Sequence, residues 1–255
     1  MIRDPENRVA LGRLDIARPP EPPPALQVRL PDAPPVQNLP VNPGHQFRAD
    51  LEVAFFPLGD DQIEITPRIA RDYGRLISYE VQNLLGESLA SGVVADGEKI
   101  VFHGRSRETL LMRLTGAGPT FYRLQIRGAP FALRRHHDKA GETQLRFLGH
   151  TTPVYFYAPA DVKEWSLSLS SDAPGGSVAL ADVINPLGET VGQLNAVDQN
   201  ADQMRLQNTP GGGFWALRFL TVEGRTTNNV RLSLEDLNTF WVTDPDQALI
   251  VLEEK

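Results

Sequence analysis

The chain has 255 residues, 41% of them hydrophobic and 22% charged, with a formal net charge of −7. That acidic balance leaves no basic surplus to neutralise phosphates, which speaks against a nucleic-acid partner, and no apolar run approaches the roughly 18 residues that read as a membrane span. Cysteine is absent, which removes disulfides, thiol catalysis and thiolate metal sites together.

The first residues, MIRDPENRVALGRLDI (1–16), have no apolar central region and so do not read as a signal peptide. Eleven of the 21 prolines fall within 1–44, including ARPPEPPPALQVRLPDAPP (17–35). Proline lacks an N–H and favours polyproline II, so 1–44 is expected as an extended arm: a linker or a strap lying over the rest of the molecule. An arm of this kind can also add to the sheet edge of a second copy, so a homo-oligomer formed through it is one expectation.

From 45 to 133 the pattern predicts a first β-sandwich module. The best helical candidate, SRETLLMRL (106–114), reads equally well as a strand ending at the TGAGP turn. The module is then repeated. At an offset of 102, the stretch 55–89 aligns without a gap onto 157–191, and NLLGESL (83–89) falls on NPLGETV (185–191). Pro57 meets Pro159, Gly74 meets Gly176, Val81 meets Val183, and Asn83, Leu85, Gly86 and Glu87 meet Asn185, Leu187, Gly188 and Glu189. Further on, TFYRLQI (120–126) is matched to GFWALRF (213–219) at an offset of 93, which implies a loop shortened in the second copy. A period near 100 residues fits tandem sandwich domains and is too long for a solenoid.

The stretch 134–149 reads as a linker. Its cluster RRHHDKAGE (134–142) offers His136, His137 and Asp138, with His150 nearby, as metal ligands. Neighbours on a strand point to opposite faces, so His136 and His137 cannot both ligate from regular structure, and the solvated-linker reading is preferred.

The second module, 150–255, alternates with a period of two: Trp165, Leu167 and Leu169 on one face, Ser166, Ser168 and Ser170 on the other. SSDAPGG (170–176), NPLGE (185–189) and NTPGGG (208–213) have turn compositions. In NPLGE, proline presets φ and glycine supplies the positive φ of a tight hairpin, so the motif is structural. The fold class that follows is all-β: two tandem antiparallel β-sandwich, jelly-roll-like domains related by internal duplication, with a proline-rich extended N-terminal arm.

VYFYAPADVKEWSLSLSSDAPGGSVALADVINPLGETV (154–191), with FWALRFL (214–220) further on, resembles bacterial accessory β-sandwich domains of the pre-peptidase C-terminal type, which in shape are similar to carbohydrate-binding modules. The resemblance covers about 70 residues of the second module and rests on turn and core positions. It implies a module attached to a secreted or cell-envelope protein. Some members bind calcium, but their acidic loop ligands are not clearly matched, so calcium stays open and no cofactor is assigned.

No catalytic constellation emerges. Carboxylate pairs such as Asp60 with Asp61, Asp161 with Glu164 and Asp198 with Asp202 are plentiful, but none repeats between modules as a shared glycosidase site would. There is no G-x-S-x-G elbow, and the triple glycine at 211–213 is not followed by a helix start. Among the aromatics, Trp165 and Trp215 occupy positions apolar in both copies and belong to a core. Trp241, Tyr155 and Tyr157 are the candidate ligand-binding residues, because an exposed ring can stack on the apolar face of a sugar. The competing position for Trp241 is the seam between modules or the underside of the strap. The leading expectation is a non-catalytic accessory or binding module of an extracellular or envelope protein, its partner a polysaccharide or a neighbouring protein domain. The alternatives are an assembly, filament or surface-layer subunit using the arm, and a polysaccharide-active enzyme using a carboxylate pair.

Overall fold

The computed structural model describes residues 26–32, 35, 45–48, 50–69, 76–118, 121–135, 142–148, 153–171, 177–225 and 229–253. Among them the chain is all β, apart from one turn of 3-10 helix at Pro245–Gln247. Strand β1 (Leu26–Arg29) comes first. Nine strands form the first half: β2 (Gln46–Arg48), β3 (Leu51–Phe55), β4 (Gln62–Ile69), β5 (Ile77–Asn83), β6 (Ser88–Val94), β7 (Ile100–His103), β8 (Leu110–Thr115), β9 (Phe121–Arg127) and β10 (Phe131–Arg135). Nine more form the second: β11 (Glu142–Leu148), β12 (Val154–Ala158), β13 (Glu164–Ser171), β14 (Val178–Ile184), β15 (Thr190–Val197), β16 (Asp202–Gln207), β17 (Gly213–Leu220), β18 (Val230–Glu235) and β19 (Trp241–Val242). Strand β20 (Ile250–Glu253) closes the series.

These strands make two large antiparallel sheets. One has ten strands in the order β15-β14-β17-β12-β19-β10-β3-β8-β5-β6, and the other has eight, β16-β13-β18-β11-β2-β9-β4-β7. Read outward from the middle, each strand of the first half is answered by the strand nine places later in the chain. The duplication is therefore visible in the topology. At the seam, counterparts pair with each other: Phe47 opposite Phe147 in the eight-stranded sheet and Leu133 opposite Trp241 in the ten-stranded one. Inward-facing residues stay inward in both halves, so a pseudo-two-fold axis runs through these pairs, normal to the sheets.

The halves are consequently not two beads on a string. Both sheets continue across the seam, and a single apolar cluster extends from Val53, Ile65 and Met112 in the first half to Phe156, Trp165 and Trp215 in the second. The segment expected as a linker, 134–149, contains the end of β10 and all of β11, which is the first strand of the second half. Its candidate ligands His136, His137 and Asp138, and His150 just beyond it, lie outside the described residues. SRETLLMRL contributes strand β8.

One expected correspondence is corrected by the sheet order. GFWALRF lies in β17, which sits between β14 and β12 as β8 sits between β5 and β3. Its counterpart is β8, and TFYRLQI, in β9, corresponds to β18. Alternating apolar residues suit any half-buried strand, so periodicity alone matched the wrong pair.

A third layer lies on the outer face of the ten-stranded sheet. Strand β1, the described part of the proline-rich arm, pairs antiparallel with β20 from Leu26–Glu253 to Arg29–Ile250. This ribbon buries Leu249, Ile250 and Val251 against Ala54, Tyr155, Phe214 and Phe240. The strap expectation describes this segment. The edge that the arm was expected to find on a second copy is supplied here by its own chain.

The seam tryptophan is a sensitive probe of this arrangement. Trp241 is fully buried, with its ring edge-on to Phe156 at 5.3 Å. Trp241→Ala is expected to cost about 3–5 kcal/mol in urea or guanidinium unfolding, whereas Leu187→Ala at an exposed turn should stay within about 0.5 kcal/mol.

Candidate functional site

The three aromatic candidates fall in places that differ from a sugar-stacking platform. Trp241 has no exposed surface. It faces the space between the sheets, where Phe156, Trp165 and Trp215 form a chain of ring contacts. Tyr155 points to the opposite face of the same sheet and is covered by the β1–β20 ribbon. Burial pushes its hydroxyl up to about 12, with Asp244 and Asp246 adding to the shift. Tyr157 is half-buried, and Arg29 of the strap lies over its ring at 5.3 Å while donating to its hydroxyl at 2.9 Å. Successive residues of β12 face opposite sides of the sheet, Phe156 into the space between the sheets and Tyr155 onto the outer face that the strap covers.

What the molecule presents outward, twice, is the hairpin carrying the repeated N-x-L-G-E motif. The β5–β6 and β14–β15 turns are the connections that stay within one sheet; the other strand-to-strand passages of each half cross between sheets. Each turn is stapled by its asparagine. Asn83 Oδ1 accepts from the backbone N–H of Leu85 and of Glu87, both at 3.0 Å, and Asn83 Nδ2 donates to Glu87 Oε2 at 2.8 Å. Asn185 repeats this with Leu187 at 3.0 Å, Glu189 at 2.9 Å and Glu189 Oε2 at 2.9 Å. Gly86 and Gly188 take φ of 81° and 84°, a region open to glycine at little cost. The staple leaves the intervening leucine outside: Leu85 is 83% exposed and Leu187 75%.

Behind each tip runs an edge of the ten-stranded sheet. Strand β6, SLASGVV, and strand β15, TVGQLNAV, carry no charged residue and no proline. Leu89 and Val93 on β6, and Val191 on β15, are exposed. The edges of the other sheet differ: β7 spans only four residues, and β16 carries Asp202 and Arg205. Free N–H and C=O groups along a long uncharged edge form a template for another strand, which charges, prolines or short length normally block. On β15 one such group is already engaged, the Asn195 N–H donating to Asp202 Oδ2 at 2.7 Å.

Two concavities lie one beside the strap and one at the seam. A groove of about 870 Å³ opens beside the strap, lined by Arg29, Asp161, Lys163, Glu164 and Asp236 among others. A cavity of about 390 Å³ lies at the mouth of the sandwich, lined by His45, Phe47, Phe131, Leu133 and Asp244 among others. His45 is buried beside the Phe47 and Phe147 rings, and that burial lowers its pKa to about 4. On the outer face of the ten-stranded sheet, burial alone would raise the Glu52 carboxyl. The guanidiniums of Arg134 at 2.8 Å and Arg113 at 3.3 Å outweigh it and hold the carboxyl below its ordinary range. Among the described residues no group of three or more His, Cys, Asp or Glu side chains converges as a metal site would, and no helix is long and apolar enough to cross a membrane.

No protein-family model matches the chain, and no curated protein matches it. Among solved structures, it is similar to the pilus backbone RrgB of Streptococcus pneumoniae at 15% identity, covering 79% of this chain and 85% of that one, with a TM-score of 0.22. The full-length major pilin RrgB of the same organism gives 14% identity, 79% and 38% coverage and a TM-score of 0.22. The N-terminal CBM22-1-CBM22-2 tandem domain of Paenibacillus barcinonensis Xyn10C gives 11% identity, 81% and 78% coverage and a TM-score of 0.13. At such TM-scores these likenesses carry no argument about what this chain does.

Two outcomes follow from the site geometry. Asn185→Ala removes three hydrogen bonds from the tip; it should cost about 1–3 kcal/mol in chemical denaturation and speed amide exchange at Leu187 and Glu189. His45 binds its proton more weakly folded than unfolded, so its contribution is complete above pH 6.5 and falls as pH drops from 6.5 towards 4. The loss is about 2–4 kcal/mol at roughly 1.4 kcal/mol per unit. In denaturation curves across that window, His45→Phe should flatten the profile relative to the parent chain.

Proposed function

We propose that this chain is a non-catalytic structural module that assembles edge to edge, its ten-stranded sheet continuing into the sheet of a second copy. The observation that carries the reading is the pair of edges: β6 and β15 are pseudo-equivalent, long and free of charge. A strand added there gains main-chain hydrogen bonds along its length. The exposed leucine of each stapled tip adds apolar contact at one end of the same edge. Because the two edges lie at opposite ends of one sheet, head-to-tail addition leaves a free edge on each added copy, from which a linear assembly extends. The fused sheets suit such a role, since a load applied at one edge passes through backbone hydrogen bonds to the other. An extracellular or cell-envelope setting belongs to this reading. Sugar stacking on Trp241, Tyr155 and Tyr157 is not part of it, since the first two rings are buried and the third lies under Arg29.

Sedimentation velocity over a wide concentration range provides the test. The parent chain should form a concentration-dependent series of larger species, and Val93→Lys with Val191→Lys, which place a charge on each edge, should remain monomeric at every concentration. A parent chain that stays monomeric throughout, or a doubly substituted chain that assembles as readily, contradicts the proposal.

A further inference from the structure

The outer face of the eight-stranded sheet carries a feature that edge pairing does not use. Five adjacent strands, β18, β11, β2, β9 and β4, each place an arginine on this face near the seam: Arg231, Arg146, Arg48, Arg123 and Arg68. The register sets them side by side. Arg231 is opposite Arg146, Arg48 is opposite Phe121, and Arg123 is opposite Arg68. The Phe47–Phe147 pairing puts Arg48 next to Arg146 across the seam. At about 4.8 Å between strands, the row spans about 19 Å.

Two of these groups, Arg48 and Arg123, are held by neutral partners, which leave their charge uncancelled. Arg48 Nη1 donates to Asn229 Oδ1 at 2.7 Å, and its guanidinium lies over the Phe121 ring at 5.2 Å. Gln46, with its amide oxygen turned towards Arg123, accepts from Nε at 3.2 Å and Nη2 at 2.6 Å. Among the described residues none of Arg48, Arg68 and Arg123 makes an ion pair. Arg68 and Arg123 are exposed and border a shallow hollow of about 190 Å³ together with Gln46 and Phe121. Two carboxylates further along the same face are engaged elsewhere, Glu64 with Lys99 at 2.9 Å and Glu164 with Arg205, while Glu235 lies four residues along β18 from Arg231, opposite Ser166.

We infer that this arginine row is a binding site for an acidic polysaccharide, a chain of sugars bearing carboxylate or sulfate groups. Guanidinium matches both anions with paired N–H donors. The row continues at the Arg231 end onto Ser170 and its neighbours Ser168 and Ser166 on β13, whose hydroxyls suit the hydroxyls of a sugar. A flat face suits an extended chain. Nucleic acid fits less well. The one aromatic ring in the row, Phe121, is half-buried under Arg48 rather than free to stack on a base. The site is on the other sheet from the edges β6 and β15 and does not depend on assembly.

Affinity electrophoresis of the full chain in gels containing polygalacturonate, dextran sulfate or neutral dextran tests the inference. Polygalacturonate or dextran sulfate should retard the parent chain, neutral dextran should not, and added salt should weaken the effect. Arg68→Glu with Arg123→Glu should weaken retardation at least tenfold, with circular dichroism unchanged. Arg68→Gln with Arg123→Gln should weaken it too, with less change in charge. Arg105→Glu with Arg107→Glu, which alters net charge equally in the exposed β7–β8 turn, beyond the Gln62–His103 end of β4 and away from Arg68, should bind as the parent does. No retardation by either acidic polymer, an equal loss in the Arg105/Arg107 variant, or duplex DNA displacing both polymers at lower concentration would overturn the assignment.

Discussion

The structure depends on strand pairing across the seam. A single sandwich of this size must either expose the inner edges of both its sheets or cover them. Here each half covers the other's, through β10 against β19 and β2 against β11. The pairing is short, with one register pair in the ten-stranded sheet and two in the eight-stranded sheet. It works because packing completes it. Trp241 fills the space between sheets at the axis, and the β1–β20 ribbon seals the outer face above it. The two ends of the chain thus lock the join that the middle of the chain creates.

That solution moves the edge problem outward. Fusing two halves removes one edge per sheet from each, and the remaining edges are farther apart and equivalent. In the eight-stranded sheet they are short or charged, as expected of edges that must not pair. In the ten-stranded sheet they are neither. The second half also concentrates its tryptophans, with Trp165, Trp215 and Trp241 standing where the first half has Ile63, Met112 and Leu133. Among the described residues all three indole N–H groups lack a hydrogen-bond partner. Ring packing, with Trp165 edge-on to Trp215 at 4.9 Å and Trp241 edge-on to Phe156 at 5.3 Å, stabilises this half.

What the sequence disclosed was local. Turn chemistry is written in adjacent residues, so Asn83 to Glu87 and Asn185 to Glu189 announced a repeated hairpin, and its staple is the same in both copies. The period-two alternation correctly placed Trp165, Leu167 and Leu169 inside and Ser166, Ser168 and Ser170 on the opposite face. Long-range matters were hidden. Nothing in GFWALRF distinguishes a strand flanked by β12 and β14 from one flanked by β4, because both need the same alternation. The stretch 142–148 looked like linker because a strand's membership in a sheet depends on what lies beside it. Tyr155 and Trp241 looked alike as candidate platforms, though one is covered by the strap and the other by the opposite sheet. The arginine row was equally invisible, since its members are scattered from Arg48 to Arg231 and meet only through strand order.

The claim on which the rest turns is that the two halves are one cooperative unit. Differential scanning calorimetry of the whole chain measures this directly through the ratio of calorimetric to van't Hoff enthalpy. A single transition with a ratio of about 1 is predicted. Two resolved transitions, or a ratio of about 2, would show halves that melt independently and would contradict a molecule held together by shared sheets.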